Sequence, residues 1–321
     1  MCVEKIYDIA IIGGGPAGMT AGIYSSRARM NTILIEKTMC GGQVLIADTI
    51  ENFPGFPEGI KGPELAGWME KQAARFGLGI KLAEARKILP KKDEKDVFTI
   101  ELSEGGSIKT QAIIIATGAK WNSLNVPGEK ELSGRGVSYC ATCDGPLFRN
   151  KDLVVIGGGD TALEDALFLT KFANKVTIVH RRDRLRATKI LQERALANKK
   201  IEMCLSSTCL EILGKSKVEG VKVKDVNTGS EKTIKADGVF VLIGLTPNSD
   251  IVKGLIDLCP KGYVISDADM KTSVSGIFAC GDVRMKMLRQ VVTATGDGAI
   301  AATSAEHYVD RLQGREYPRP E

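Results

Sequence analysis

Ile9-Ala10-Ile11-Ile12-Gly13-Gly14-Gly15-Pro16-Ala17-Gly18, residues 9–18, runs from an apolar stretch straight into a glycine-rich turn. Tyr7 to Ile12 reads as a short buried strand, and the residues from Pro16 to about Ala28 read as a helix. Thr32 to Ile35 forms a second strand that ends at Glu36, twenty-one residues beyond Gly15. Strand, Gly-x-Gly-x-x-Gly, helix, strand and acid together make a dinucleotide-binding pattern. The glycines let backbone N–H groups approach a pyrophosphate at the helix N-terminus, and Glu36 can accept hydrogen bonds from ribose hydroxyls. Gly13, Gly15, Pro16, Ala17, Gly18 and Glu36 are therefore candidate cofactor residues. A carboxylate at position 36 repels a 2′-phosphate, which leaves NAD or FAD as the ligand of this loop.

The same unit recurs 144 residues later, in register and without gaps. Leu153 to Ile156 is its strand, Gly157-Gly158-Gly159-Asp160-Thr161-Ala162 its turn, and Ala162, Leu163, Ala166, Leu167 and Leu169 give the helix an apolar face. The next strand, Val176 to Val179, ends at His180. Where the first copy has a carboxylate, the second has His180-Arg181-Arg182, followed by Arg184 and Arg186. Arginines there accommodate a 2′-phosphate, so the second copy reads as selective for NADPH. Gly157, Gly159, Asp160, Thr161, His180, Arg181, Arg182 and Arg186 are its candidate cofactor residues.

Just upstream of the second copy lies Cys140-Ala141-Thr142-Cys143, with Asp144 directly behind it. Thiols at this spacing can close a small disulfide ring, and one of them reacts near neutral pH. An adjacent acid can supply or remove the proton that thiol–disulfide exchange requires. The same spacing could form half of a zinc site, but neither His180 nor His307 lies near a second close cysteine pair, so no metal is expected. Cys2, Cys204, Cys209, Cys259 and Cys280 have no reactive context, and Cys40 abuts Gly41-Gly42; all six read as ordinary small residues.

A chain of 321 residues with 35 glycines suggests two domains, each with its own core. No apolar run is long enough to span a membrane, and no signal peptide is apparent, so eight cysteines point to a reducing, cytoplasmic setting. The net charge of +5 comes from residues 171–200, where ten Lys or Arg face only Asp183 and Glu193. With Phe172 the only aromatic in that stretch, a small, highly charged ligand explains it better than nucleic acid.

Each copy closes on a buried strand ending in glycine: Ala112 to Ala116 before Thr117-Gly118, and Val239 to Ile243 before Gly244. Antiparallel excursions precede both, from about Lys87 to Thr110 and from Val218 to Thr233. Gly276 to Asp282 resembles a further strand and glycine turn. Val291 to Leu312 reads as a long helix, interrupted or begun near Gly296-Asp297-Gly298.

With Gly41-Gly42-Gln43, Glu51 to Gly55, Thr117-Gly118-Ala119, Gly281-Asp282 and Arg289-Gln290 added to these motifs, the chain resembles the low-molecular-weight, bacterial/archaeal-type thioredoxin reductases over almost its whole length. These are class II pyridine nucleotide-disulfide oxidoreductases. The resemblance implies an α/β fold of two Rossmann-like, three-layer ββα domains, the second inserted into the first. Residues 1–118 and 248–321 would bind FAD, and 119–247 would bind NADPH and carry the cysteine pair. It also implies that Asp282 meets the flavin ribityl chain and that Gly42, Gln43, Asn52, Thr117, Gly118, Arg289 and Gln290 line the same cofactor. Electrons would pass from NADPH through FAD to the Cys140–Cys143 disulfide and on to thioredoxin or a thioredoxin-like protein. Cys143 would face the flavin, Cys140 would exchange with the partner, Asp144 would act as acid and base, and the inserted domain would swing on its two linkers. The protein would be a homodimer.

Two positions depart from the family: Leu185 stands where an aromatic is usual, and Pro146-Leu147 replaces a bulkier pair after the cysteine motif. Other readings are a reductase of a glutaredoxin-like protein, the flavoprotein partner of a peroxidase, or a silent flavin-binding interaction module. The first stretch of the chain carries no added thioredoxin-like domain of the kind a peroxidase partner has. The intact dithiol, acid and arginine cluster argue against a silent module.

Overall fold

The computed structural model describes residues 5–47, 49–93 and 96–315, and Cys2 lies outside them. The described residues separate into two compact units. One is built from the chain up to Lys120 together with the chain from Thr246, and the other spans Trp121–Leu245. At the two crossings, Ala119–Trp121 and Leu245–Pro247 pair as a two-stranded ladder. Thr117 Oγ1 donates to the Asn248 carbonyl at 2.6 Å, and Asn248 Nδ2 returns a bond to the Thr117 carbonyl at 2.9 Å.

The first unit is organised around the strand Ile6–Ile12. It pairs in parallel with Thr32–Glu36 on one side and with Ser107–Ile115 on the other. Gly79–Leu82 extends the sheet past Thr32–Glu36, and Ile277–Ala279 pairs in parallel with Ser107–Ile115. Strands covered on both faces need apolar residues at successive positions, which the run Ile9 to Ile12 and the run Ala112 to Ile115 supply. Alternate residues then divide between two cores. Ile9, Ile11, Leu34 and Ile114 pack under the helices Pro16–Arg27, Gly62–Arg75 and Val291–Leu312. Ala10, Ile12, Ile35 and Ile113 face Phe98, Ile100 and Val264 on the opposite side. One strand does the work of two expected segments: the start of Ser107–Ile115 pairs antiparallel with Phe98–Leu102, while its length pairs in parallel with Ile6–Ile12. The antiparallel excursion and the closing strand are therefore continuous.

In the second unit Asp152–Ile156 takes the central place. Lys175–Val179 and Ile201–Cys204 follow on one side, Gly238–Val241 and Val137–Ser138 on the other, and all are parallel. A separate antiparallel sheet orders Ser207–Leu213, Gly220–Asp225 and Glu231–Lys235. Gly220–Asp225 lies within the expected excursion, and Glu231–Lys235 begins within it and runs two residues past its expected end at Thr233. Ser207–Leu213 was not legible, because a bulge between Cys209 and Glu211 breaks the two-residue alternation that would reveal it.

The helix Val291–Leu312 is continuous through Gly296-Asp297-Gly298, so the expected interruption there is absent. Gly298 serves close packing instead. A Cβ on it would lie 2.2 Å from the Ala17 carbonyl oxygen, so this helix can seat against Pro16–Arg27 only without a side chain at that point. Gly296 faces open space. Gly298→Ala should therefore destabilise the purified protein by about 1–3 kcal/mol through overpacking. Gly296→Ala should stabilise it by about 0.5–1 kcal/mol through helix propensity. Urea unfolding followed by far-ultraviolet circular dichroism checks both; equal effects would mean that neither glycine is set by packing.

Candidate active site

In the first unit the glycine loop lies at the carboxyl edge of the parallel strands, where such sheets bind ligands. Gly13 has φ +110°, and a Cβ there would lie 2.4 Å from the Ala116 carbonyl oxygen. A Cβ on Gly18 would come within 1.9 Å of the Gly13 carbonyl oxygen, whereas one on Gly15 would meet nothing. Gly13 and Gly18 therefore let the loop close on the sheet, while Gly15 leaves room beside the N-terminus of Pro16–Arg27. Glu36, at the end of its strand, accepts the Gly14 N–H at 2.7 Å through Oε2 and the Thr38 N–H at 3.1 Å through Oε1. The carboxylate thus braces the loop as well as facing the site.

Other segments of this unit converge on the loop. Gly41 N donates to the Gly14 carbonyl at 2.8 Å, and a Cβ on Gly42 would lie 3.2 Å from the Gly15 Cα. Gln43 Nε2 donates to the Ala119 carbonyl at 2.9 Å, next to Thr117 and Gly118. A Cβ on Gly281 would lie 2.8 Å from the Ala17 methyl, which places Asp282 beside the helix carrying the loop. Arg289 donates to the Asp282 and Arg284 carbonyls and lies 4.2 Å from the Tyr263 ring centre. Asn52 Nδ2 donates to Gln290 Oε1 at 2.9 Å, and Gln290 caps the helix Val291–Leu312.

Two observations show that these residues suit a dinucleotide. The loop has a space at Gly15 that a Cβ would fill. Asp282 also presents a buried Oδ1 that no described donor reaches by a hydrogen bond. A buried carboxylate oxygen without a donor is costly, and a ligand hydroxyl would satisfy it.

The second unit repeats the loop with different electrostatics. A Cβ on Gly157 would meet the Leu242 carbonyl oxygen at 2.5 Å, and one on Gly159 would meet nothing. Arg186 N donates to the Gly158 carbonyl at 2.7 Å, and Thr188 N to Asp160 Oδ1 at 2.7 Å, so the arginine segment is tied to the glycine loop. Arg181, Arg182, Arg184 and Arg186 are exposed, as is Thr161. Leu185, between the arginines, is buried in the core of this unit. His180 is not one of the exposed cations. It is 8% exposed, and its ring takes the space over Gly158 that a Cβ there would need. Burial, and then Arg182, Arg186 and Arg181, push its pKa down, so it stands as a neutral imidazole.

Cys140 and Cys143 form a disulfide. Cys140 caps the four-residue helix Ala141–Asp144, and its Sγ accepts the Cys143 N–H at 3.2 Å. Cys140 N in turn donates to Ser138 Oγ at 3.1 Å. Both cysteines and Asp144 are half-buried, and Leu147 is exposed. Ala141 is fully buried among Leu163, Ala166 and Leu169, which seats the cysteine helix on Asp160–Leu169. An N–H aimed at Cys140 Sγ favours the thiolate at that sulfur once the bond is reduced.

Sequence reasoning missed two acids here. Glu129, 1% exposed, accepts the Leu124 and Asn125 N–H groups and the Tyr139 hydroxyl, and so holds the residue before Cys140. Asp165 accepts the Ala141 N–H, and burial and then Glu164 push its pKa up to about 6. Neither carries a local signal, because their partners are set by packing.

These two loops, each at the edge of a parallel sheet, with a disulfide in the second unit, define a nucleotide-dependent disulfide oxidoreductase. Residues 7–298 match the pyridine nucleotide-disulphide oxidoreductase family, and the chain belongs to it. It is similar to the thioredoxin reductase of Bacillus subtilis, at 50% identity over 98% of this chain and 98% of that one. Among solved structures it is similar to the thioredoxin reductase of Streptococcus pyogenes, with 45% identity, a TM-score of 0.92, and coverage of 96% and 100% of the two chains. The thioredoxin reductase of Giardia duodenalis matches at 36% identity and a TM-score of 0.89, covering 95% and 99%.

Asp165 makes the cysteine helix sensitive to pH. Its pKa rises from 3.8 to about 6, so between those values the folded state binds more protons than the unfolded state. Its contribution to stability therefore falls as pH rises through that window. Asp165→Asn keeps an acceptor for Ala141 and removes the titration. Relative to the parent protein it should gain on the order of 2 kcal/mol between pH 4 and pH 7. Urea titrations at the two pH values check this; an unchanged difference would place Asp165 in solvent.

Proposed function

We propose that this protein is an NADPH-dependent flavoprotein reductase that passes electrons through FAD and the Cys140–Cys143 dithiol to the disulfide of thioredoxin. The observation that carries the reading is the closed Cys140–Cys143 bond beside a dinucleotide loop edged by arginines, in a chain half identical to a thioredoxin reductase.

FAD and NADPH are the cofactors of this family, and the residues divide between them by charge. Gly13, Gly15, Pro16, Ala17, Gly18 and Glu36 would hold the adenosine and pyrophosphate of FAD. Asp282 would accept from its ribityl hydroxyls, and Gly42, Gln43, Asn52, Thr117, Gly118, Arg289 and Gln290 would line the remainder. Gly157, Gly159, Asp160 and Thr161 would hold the pyrophosphate of NADPH, with Arg181, Arg182 and Arg186 on its 2′-phosphate and His180 as a neutral wall. When bound, FAD takes a hydride from NADPH and delivers the electron pair to a disulfide.

The dithiol chemistry belongs to the chain. Cys140, its thiolate favoured by the Cys143 N–H, attacks one sulfur of the thioredoxin disulfide, and the other sulfur leaves. Cys143 then attacks Cys140 Sγ in the mixed disulfide, restores the Cys140–Cys143 bond and releases reduced thioredoxin. Asp144 relays the protons of the leaving thiolates.

The reading extends to a homodimer in the cytoplasm. Exposed Tyr24 and Ile300 border a groove of about 440 Å³ with Thr303 and His307, which supports a self-association surface on the first unit. Cys40, Cys204, Cys209, Cys259 and Cys280 are free thiols, which suits a reducing compartment. No described helix is long and apolar enough to cross a membrane.

Two experiments test the assignments. Cys143→Ser, mixed with a thioredoxin that lacks its own resolving cysteine and carries its remaining thiol as a mixed disulfide with thionitrobenzoate, should accumulate a covalent adduct through Cys140 as thionitrobenzoate leaves. Cys140→Ser should give little adduct, and an adduct formed mainly through Cys143 would reverse the roles. An Arg181→Ala, Arg182→Ala double variant loses two charge-assisted contacts of about 1.5–3 kcal/mol each, so its preference for NADPH over NADH in kcat/KM should fall more than about a hundredfold. An unchanged preference would leave the arginines as solvated surface.

A further inference from the structure

The turn that carries Asp282 is wired to the helix Val291–Leu312 by a compact charge network outside the sequence motifs. Asp297 Oδ2 accepts the Gly281 N–H at 3.0 Å, lies 3.1 Å from Arg284 Nη1 and accepts from Lys286 Nζ at 3.0 Å. The side chains of Arg284, Lys286 and Asp297 are only 10%, 11% and 14% exposed. Arg284 is further anchored by Ser266 Oγ and the Asp267 carbonyl. Lys286 Nζ also reaches Thr293 Oγ1 at 3.3 Å and stands 3.7 Å from Asp282 Oδ1.

The last distance matters. At 3.7 Å the ammonium compensates the Asp282 charge without donating a hydrogen bond, so Oδ1 is left buried and without a described donor. Lys286 cannot close the gap cheaply, because its nitrogen is already held by Asp297 and Thr293. The result is a carboxylate kept charged by one neighbour and kept available by that neighbour's other bonds.

We propose that Lys286 is a positioning residue of the flavin site: held by Asp297 and Thr293, it keeps Asp282 an ionised, unsatisfied acceptor for a cofactor hydroxyl. This rests on the reading that Asp282 meets the ribityl chain. The charged groups facing Asp282 are Lys286 and Arg289 from its own turn, Asp297 from the helix, and the Tyr263 phenol. Burial pushes the Asp282 pKa up and Asp297 adds to the rise, while Lys286 and then Arg289 oppose it. Without Lys286, Arg289 is the only cation left in opposition, so burial and Asp297 push the Asp282 pKa further up and a larger share of the carboxyl is neutral at the lower pH. A neutral carboxyl holds a hydroxyl less tightly than a carboxylate does.

The test is release of FAD from the purified holoprotein, followed by recovery of free-flavin fluorescence at pH 6 and pH 8. Lys286→Met should release flavin about tenfold faster at pH 6 than at pH 8. The parent protein and Lys286→Arg should differ between the two pH values by less than about twofold, since both keep a cation there. Asp282→Asn should release flavin fast at both, and K286M combined with D282N should match D282N alone, with no pH dependence. K286M behaving as the parent, or K286R behaving as K286M, overturns the role of the Lys286 charge. D282N holding flavin as the parent does would instead overturn the reading of Asp282. Should K286M yield no soluble holoprotein, K286M with D282N carries the test, because the second change removes the unpaired buried charge. Recovery of soluble protein is then expected, and its absence overturns the proposal.

Discussion

The structure depends on a contact that admits no side chain. In the first unit the Gly13 backbone lies against Ala116, just past the strand Ser107–Ile115, and Gly18 lies against Gly13; in the second, Gly157 lies against Leu242. Each contact lets a helix begin directly over the edge of a parallel sheet, with its first N–H groups facing outward and space left at Gly15 and Gly159. The rest of each unit arranges itself around that edge. Gly41 and Gly42, Gly281, and Arg186 all come to the loops through backbone bonds or contacts that a Cβ would prevent or crowd.

On this repeated scaffold, charge decides what each loop can hold. Glu36 braces Gly14 through one oxygen and leaves a negative edge, which suits a ribose without a phosphate. In the second unit a histidine fills the corresponding volume, and its neutral ring adds no charge. The arginines, displaced outward onto exposed positions, then supply all the positive field. Leu185 lies buried between them and anchors the segment to the core, so that its cationic neighbours project from a fixed base.

Burial takes three of the free thiols out of chemistry. Burial pushes the Cys40 and Cys209 thiols up to about 11 and Cys280 higher still, which keeps all three protonated and poorly nucleophilic near neutral pH. Cys140 differs because a backbone N–H points at its sulfur from the helix it caps. The helix itself is placed by the burial of Ala141 and by two acids, Asp165 beneath it and Glu129 behind Tyr139. The turn of Asp282 follows similar logic, with Asp297 gathering the backbone and cations around it.

The sequence by itself determined the two dinucleotide folds, the register of their repeat, the cysteine pair and a long helix running to Leu312. Each is written in short-range terms: apolar alternation, glycine spacing, and an acid or arginine at a fixed offset. Tertiary structure decided what depends on partners distant in the chain. Gly298 looked like a helix breaker and proved to be a packing contact, because the carbonyl it accommodates belongs to Ala17. Ser207–Leu213 escaped notice because its bulge interrupts the alternation that marks a strand. His180 joined the cations by adjacency, yet burial made it neutral. Asp165 and Lys286 became visible only when folding brought them to Ala141 and Asp282, since the state of a buried charge is set by what surrounds it in space.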